Sequence, residues 1–441
     1  MSFFSRIFGD QISPEKDLNF KFGRYTDAYK SKLQYEAWDS AVALFEEKKI
    51  IEAYKNFFVY LDDKEEDNIH WKQEGDQINF EIYQGSKKIN GWVNSKSMHA
   101  ETKVARSNSM NVGYLRRLVE VNYDLKYSRY GLDDDNTIVL VFNSLSIDGS
   151  PYKLYFALKE LSTQADKLDD LLVDEFQALE AIDSAPIIEL SPELKKVKYE
   201  YVTSEIKRVL SHVNSDAIFA EKFPGGIAYM LLHLCYKLDY LVKPEGFMME
   251  SLERIHRLYF EKNKKRTIEK NKILLKEFDT LLKRTEEEFQ KEFYDVTCTF
   301  GITTAVGHNK VAAFINGELH NMNWYLDNKY PEAALGVPGY IVGYCLFNFA
   351  VPVPVREYFH LFYMITEQQY FKSIGYVNTF IKKNGKVEHR KIKSKIESIA
   401  KKHKITYPSL SPKTSILKFS SVAEFARSYL LMIQELDLTE I

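Results

Sequence analysis

The spacing of apolar residues changes from helical to extended in the first half of this chain, and this change restricts the fold more than any other sequence feature. From Tyr35 to Asp63 apolar side chains recur every three or four residues, which predicts an amphipathic helix or helix pair. After the acidic turn at Asp62–Asp67 the period becomes two. Three alternating runs separated by turn residues predict an antiparallel meander with one solvated face: residues 78–83, 89–93 and 98–104.

The stretch from Ser107 to Leu145 adds a helix and a hairpin to this meander. Ser107 or Ser109 is a suitable helix cap, and the hairpin turns at Asp133–Asn136, where contiguous aspartates favour turn formation over calcium binding. The apolar run 138–141 predicts an interior strand. The helix is expected to bury five residues, with the last in a turn-bonding role: Tyr114, Leu115, Leu118, Val119 and Asn122.

A longer helix is predicted from Pro151 to Phe176, with apolar residues in alternating steps of four and three. This spacing fits packing on the sheet, and a dimer seam is the alternative. The predicted order is therefore helix, three strands, helix, two strands, helix.

This order, with the strings LVEVNYDL, SRYGLD and TIVLVFNSL, resembles the YbjN-like proteins, whose fold is that of type III secretion chaperones. The resemblance covers roughly residues 36–178. It implies a small α+β domain that binds a protein partner, and it supplies no catalytic residue. Aromatic residues on the predicted sheet are the candidate partner contacts: Tyr83, Trp92 and Tyr130.

The whole chain is predicted to be an α+β protein, with an antiparallel sheet packed by helices followed by a helix-rich domain with a small sheet. The expected divisions are a lead-in at 1–34, a chaperone-like domain at 35–181, a Pro- and Ser-containing linker at 182–195 and a second domain at 196–441. A degenerate copy of the first domain is an alternative interpretation of the second. In the second domain we expect helices at 192–213, 225–242, 247–262, 266–293, Arg356–Phe371 and Ser421–Glu435, strands at Val296–Ile302 and Ser415–Phe419, a hairpin from Val311–Ile315 into His320–Leu326, and a helix start or close-packed loop at Pro331–Val351.

Composition and charge indicate a folded cytoplasmic protein. The net charge is −2, so the chain as a whole has no attraction to nucleic acid. Its three cysteines lie in apolar runs, which favours a reducing compartment over a disulfide framework. The first ten residues lack a signal-peptide core. The longest uncharged apolar stretch, Tyr340–Val351, is shorter than the roughly 20 residues that span a bilayer.

No catalytic, metal-binding or cofactor-binding motif is present, and we expect a protein that is not an enzyme. Cys298 and two histidines are too irregularly spaced to indicate a zinc site, and the glycines at 225–226 lack the order of a phosphate loop. A rival interpretation is a small-ligand sensor or enzyme with a pocket in the second domain. Its candidate residues are His308, His320, Asn323, Trp324 and Tyr340.

The segment 375–419 carries twelve Lys and Arg against two acidic residues, whereas 160–190 carries nine acidic residues against one Lys. Three interpretations of the basic segment are open. Its lysines form a solvated helix face, or the segment docks on the acidic helix within or between chains, or it binds an acidic partner. Its candidate residues are Lys391, Lys393, Lys395, Lys401 and Lys402. The leading hypothesis is a non-enzymatic protein that binds a protein or peptide partner, with a homodimer as a further option and nucleic acid disfavoured as a partner.

Overall fold

The computed structural model describes residues 20–107, 109, 111–182, 185–215, 222–377, 379–382 and 387–440. The helices are α1 (Lys32–Glu46), α2 (Ile50–Leu61), α3 (Val112–Asp124), α4 (Pro151–Glu175), α5 (Pro192–Ser215), α6 (Pro224–Val242), α7 (Gly246–Phe260), α8 (Thr267–Leu282), α9 (Glu286–Lys291), α10 (His308–Asp327), α11 (Pro331–Asn348), α12 (Val353–Thr366), α13 (Gln368–Ser373), α14 (His389–Lys402) and α15 (Val422–Gln434). The strands are β1 (Ile69–Glu74), β2 (Gln77–Gln84), β3 (Lys87–Asn94), β4 (Ser97–Ser107), β5 (Arg129–Leu132), β6 (Thr137–Leu145), β7 (Leu179–Ala181), β8 (Ile187–Glu189), β9 (Tyr294–Val296), β10 (Thr304–Ala305) and β11 (Phe349–Ala350).

The first half forms one antiparallel sheet with the strand order β1-β2-β3-β4-β6-β5, and β7 pairs with β4. Burial alternates along β2, so one face of the sheet packs on helices and the other meets solvent, as predicted. The meander has four strands, and the prediction of three was wrong. The sequence of β1, IHWKQE, carries apolar side chains only at Ile69 and Trp71, so its alternation is too short to be recognised.

Helix α4 covers the inner face of the sheet. The stripe therefore packs within the chain rather than along a dimer axis, since all six of its apolar positions are buried: Leu154, Leu158, Leu161, Ala165, Leu168 and Leu172. The cap of α3 is Asn111, because its side chain accepts a hydrogen bond from the backbone of Gly113, and neither predicted serine takes that role. Val119 was predicted to be buried and is 69% exposed, since α3 turns only its Tyr114 and Leu118 side inward.

The second half is mostly helical, with the two-stranded sheets β8-β9 and β10-β11. The predicted hairpin at 311–326 is wrong because Val311, Ile315, Leu319 and Met322 recur at helical spacing and are buried along α10. Residues 331–348 form the complete helix α11. Its Gly343 allows α6 to approach closely, since a Cβ there would lie 2.6 Å from that of Tyr236.

Two predicted strands of the second half are not strands in the structure. In the segment predicted at 415–419, the first two residues belong to a 3-10 turn that spans Thr414–Ile416. Of the segment predicted at 296–302, only Val296 belongs to a strand. The rest runs along the first half as an extended segment, residues 297–303, which we term the strap.

The strap joins the two halves through backbone and side-chain hydrogen bonds. The Thr299 hydroxyl lies 3.0 Å from the Asn68 carbonyl and 2.8 Å from that of Tyr83, and the Phe300 amide donates to the Gln84 side chain at 2.9 Å. Phe300 is 2% exposed and belongs to the hydrophobic core of the first half, with its ring 5.7 Å from that of Tyr155. A core residue of the first half is therefore supplied by the second.

Residues 20–27, the N-terminal segment, make the reciprocal connection. Phe22 packs among rings of the second half, 4.9 Å from His360 and 5.3 Å from Phe371. The Gly23 amide donates to the Tyr240 carbonyl at 2.8 Å, and its positive φ of 70° suits glycine. The segment therefore contacts both halves, since its Tyr25 hydroxyl also donates to Asp63 of the first half at 2.9 Å.

A buried ion network lies at the same junction. Arg24 donates to both carboxylate oxygens of Asp239 and to Glu253, while Lys167 of α4 also binds Glu253. Burial raises the pKa of Asp239, an effect that Arg24 only partly offsets. Burial would also raise the pKa of Glu253, but two cations, Arg24 and Lys167, lower it to about 2.

Phe300→Ala should lower the free energy of unfolding by about 3–5 kcal/mol, because it leaves a cavity in the first half's core. Chemical denaturation followed by circular dichroism measures this. Ile302→Ala is the control two residues away, at a side chain that is 52% exposed, and should have little effect. Equal stabilities for the two variants would contradict the position of Phe300.

Arg24→Met should also destabilise the protein, by about 3–5 kcal/mol, because Asp239 is then left buried without its cation. The matched control is Arg116→Met, which breaks an exposed pair with Glu120 on α3 and should leave the midpoint of thermal unfolding unchanged. A similar effect of both substitutions would show that the junction network is no stronger than a surface pair.

Candidate functional site

Two of the three predicted partner contacts lie on the open face of the sheet. Tyr83 donates its hydroxyl hydrogen bond to Glu81 at 3.1 Å, and the Trp92 ring stacks 6.0 Å from that of His99. Trp92 pairs with Asn79 across β2 and β3, four residues along β2 from Tyr83, which separates the two side chains by roughly 13 Å. The two rings therefore do not form one patch.

Tyr130 lies on the opposite face of the same sheet. It is 6% exposed, and its hydroxyl donates to the Gln164 carbonyl of α4 at 3.0 Å. The prediction that grouped Tyr130 with Tyr83 and Trp92 assumed that the Tyr130 ring faces solvent, and this was wrong. The pairing of Tyr130 with the buried Leu140 instead directs it into the core.

The two edges of the sheet differ in their capacity to add a strand. At β5 the side chain of Asn122 donates to the Tyr130 carbonyl and accepts from its amide, at 3.1 and 2.7 Å, so it occupies the outer backbone groups. This is the turn-bonding role predicted for Asn122. At the other edge, β1 pairs only with β2 among the described strands. Its charged Lys72 and Glu74 are typical of an edge protected against aggregation.

A larger aromatic surface lies on the helices of the first half, which sequence reasoning did not predict. Its rings form a connected cluster: Trp38 is 4.7 Å from Tyr60, 4.9 Å from Tyr152 and 6.2 Å from Tyr155, and Tyr155 is 5.3 Å from Phe156. Two of its rings are about half exposed, Tyr152 at 54% and Phe156 at 52%, and Tyr35, three residues before Trp38 on α1, is 51% exposed. We call these residues the aromatic surface: Tyr35, Trp38, Tyr60, Tyr152, Tyr155 and Phe156.

The aromatic surface is anchored to the junction between the halves. The Tyr155 hydroxyl donates to Asp27 at 2.6 Å, and Asp27 also accepts from the Gly301 amide of the strap at 3.1 Å. Burial raises the pKa of Tyr155, so the hydroxyl stays a donor at neutral pH. Only the spacing within α1 and α4 could have been read from the sequence, since the pairing of the two helices is a tertiary contact.

The five residues of the rival pocket face different surroundings. His308 begins α10, and burial lowers its pKa. His320 and Asn323 are exposed on the same helix. Trp324 is 43% exposed and rests 5.0 Å from the ring of Phe223. Tyr340 is buried, 5.2 Å from Tyr229. The structure does not bring these five side chains together.

The basic segment forms the predicted helix at α14. Its isoleucines Ile392, Ile396 and Ile399 are buried, and Lys391 and Lys401 are exposed. Lys402 donates to Glu357 at 2.8 Å, Lys393 lies 5.9 Å from the centre of the Phe419 ring, and Lys395 is half-buried.

In the acidic helix α4, Glu160 has partners of its own in the first half. It accepts hydrogen bonds from the backbone amides of Lys126, Tyr127 and Ser128 at 2.8–2.9 Å. Burial would raise the pKa of Glu160, but these hydrogen bonds lower it. This carboxylate therefore orders the turn before β5.

Within the described ranges, no three His, Cys, Asp or Glu side chains are grouped so that they could hold a metal ion. In the same part of the chain no helix has both the length and the apolar character needed to cross a bilayer. No protein-family model and no curated protein matches the chain.

Proposed function

We propose that this is a non-enzymatic partner-binding protein whose aromatic surface holds an amphipathic helix of another protein. The observation that carries the proposal is a connected cluster of five aromatic rings on adjacent helices, two of them about half exposed, with the half-exposed Tyr35 three residues before Trp38 on α1. Contiguous exposed apolar surface of this kind marks interaction sites, and Tyr, Trp and Phe are enriched at interfaces.

The rings are held in place before any partner arrives. Trp38 of α1 contacts Tyr60 of α2 as well as Tyr152 and Tyr155 of α4, so its orientation is fixed by two other helices. Fixed aromatic rings lose little conformational entropy on binding and provide a large contact area. The surface extends across α1 and α4, which suits a partner helix with apolar residues at three- and four-residue spacing.

The resemblance of residues 36–178 to the YbjN-like, secretion-chaperone-like domains supports the same proposal, since it implies a protein partner. We place the protein in the cytoplasm, in keeping with three free cysteines, Cys235, Cys298 and Cys345. A homodimer through the aromatic surface is the alternative occupant, which the experiment below distinguishes by mass.

Replacing Phe156 by the photo-crosslinker p-benzoyl-phenylalanine should yield a discrete adduct with one other protein upon irradiation of cells. The same replacement at Ile405, which is 93% exposed and distant in sequence, is the control and should yield none. An adduct of two copies of this chain would show that the aromatic surface binds a second copy of the protein and not a different protein. Equal crosslinking at both positions would contradict a specific surface.

The triple variant Tyr35→Ser, Tyr152→Ser and Phe156→Ser should bind the crosslinked partner at least about tenfold more weakly, or about 1.4 kcal/mol. Calorimetric titration with the purified partner measures this. The control variant removes three exposed apolar side chains elsewhere, Tyr123→Ser, Trp324→Ser and Ile405→Ser, and should retain full affinity. If the first variant keeps its affinity for the partner, the partner binds at a site other than the aromatic surface.

A further inference from the structure

A cavity of about 240 Å³ lies at the junction of the two halves. It is enclosed by the N-terminal segment, α4, the connection between α6 and α7, and the strap, so both halves supply its walls. Its volume equals that of about eight water molecules at roughly 30 Å³ each, which admits a small organic molecule. The side chains that matter for its chemistry are Arg24, Gln164, Asp239, Lys243, Glu245 and Glu253.

Most charged groups of the cavity wall are already paired. Arg24 binds Asp239 and Glu253, and the Lys243 ammonium donates to Asp295 at 3.3 Å. Glu245 is different. It is 8% exposed, and among the described residues its carboxylate accepts no hydrogen bond and forms no ion pair. Its oxygens are not among the fully enclosed polar atoms that lack a partner, so they face the cavity, where a ligand can supply the hydrogen bonds that the chain does not.

The charges around Glu245 come from every element packed against it. Lys243 precedes it in the same connection, Arg24 lies in the N-terminal segment, Asp239 lies in the last turn of α6, and Asp295 belongs to β9. Lys198 of α5 is a further cation that interacts electrostatically with Glu245. Burial raises the pKa of Glu245 to about 7, an increase that Lys243 and Arg24 oppose and the two aspartates reinforce.

The wall as a whole is negatively charged. It carries three basic side chains and four acidic ones, a formal charge of −1 when all are ionised: Arg24, Lys167, Lys243, Asp166, Asp239, Glu245 and Glu253. Burial raises the pKa of the Cys298 thiol to about 12, so this neighbour stays neutral. An anionic ligand would therefore face net repulsion, whereas a cation would supply the charge and the donor that Glu245 lacks.

We propose that this cavity binds a small organic cation, a primary amine whose ammonium group is held by the carboxylate of Glu245. The ammonium group donates hydrogen bonds to Glu245, and the rest of the molecule lies against Pro244, Met249 and Phe300. An amine fits better than a metal ion, because the described residues offer no group of three metal ligands. This site is separate from the aromatic surface and does not depend on the proposed partner.

The test uses the full chain and n-butylamine, which stays protonated from pH 6 to 9, with n-butanol as the uncharged probe of similar shape. Calorimetric titration at pH 8 should show binding of the amine and none of the alcohol. Between pH 8 and 6 the affinity should fall about tenfold, because protonated Glu245 cannot pair with a cation. Equal binding of amine and alcohol, no binding of either, or an affinity independent of pH would overturn the proposal.

Glu245→Gln should abolish amine binding, and Glu261→Gln, at an exposed position, should leave it unchanged. Glu245 also predicts a pH dependence of stability without ligand. Its pKa is higher in the folded chain than its ordinary value of 4.5, so its favourable contribution is present below that value and is lost as the pH rises through about 7. The Gln variant should therefore gain stability relative to the natural chain between pH 5 and 8. A constant difference across this range, or amine binding by the variant, would contradict the role of Glu245.

Discussion

The insertion of Phe300 into the core of the first half is the contact on which the rest of the structure depends. It comes from a strap that bonds to the ends of β1 and β2, and its counterpart is Phe22, which carries the N-terminal segment into the second half. The first half thus buries Phe300 of the second, and the second half packs against the partly buried Phe22 of the first. Neither core is complete alone, so the two halves should unfold together.

Both functional proposals rest on this exchange. Asp27 accepts hydrogen bonds both from Tyr155 of the aromatic surface and from Gly301 of the strap. A single residue therefore connects the proposed partner-binding surface to the junction of the two halves. The cavity that contains Glu245 exists because the N-terminal segment and the strap pass between the halves. An amine bound there would contact both halves and would raise the free energy of unfolding, because it binds only the folded chain in which the two halves meet.

The local part of the fold could be predicted because it depends on local periodicity. The strands β2 to β4, the hairpin at Asp133–Asn136 and the stripe of α4 all follow from apolar spacing. The wrong hairpin at 311–326 arose from the turn signal Asn316-Gly317, which helical packing of α10 outweighs. The α+β class and the open sheet face were correct, whereas the grouping of Tyr130 with that face was not.

The candidate sites could not be predicted, because they are made of residues far apart in the chain. Arg24 meets Asp239 across 215 positions, and α1 meets α4 across more than 100. Composition shows that aromatic residues are abundant, yet it cannot show which helices place them together. A glutamate without a partner, such as Glu245, is likewise visible only when its surroundings are known.

Hydrogen exchange at the junction tests the interlocked fold most directly. The amides of Gly23, Phe300 and Gly301 bond across the two halves, to Tyr240, Gln84 and Asp27. If each half depends on the other, these three amides should exchange only through global unfolding, with the same free energy as the most protected amides of β3 and α6. Exchange of the three at a clearly lower free energy, while both cores remain protected, would show that the halves are separate units and contradict this account.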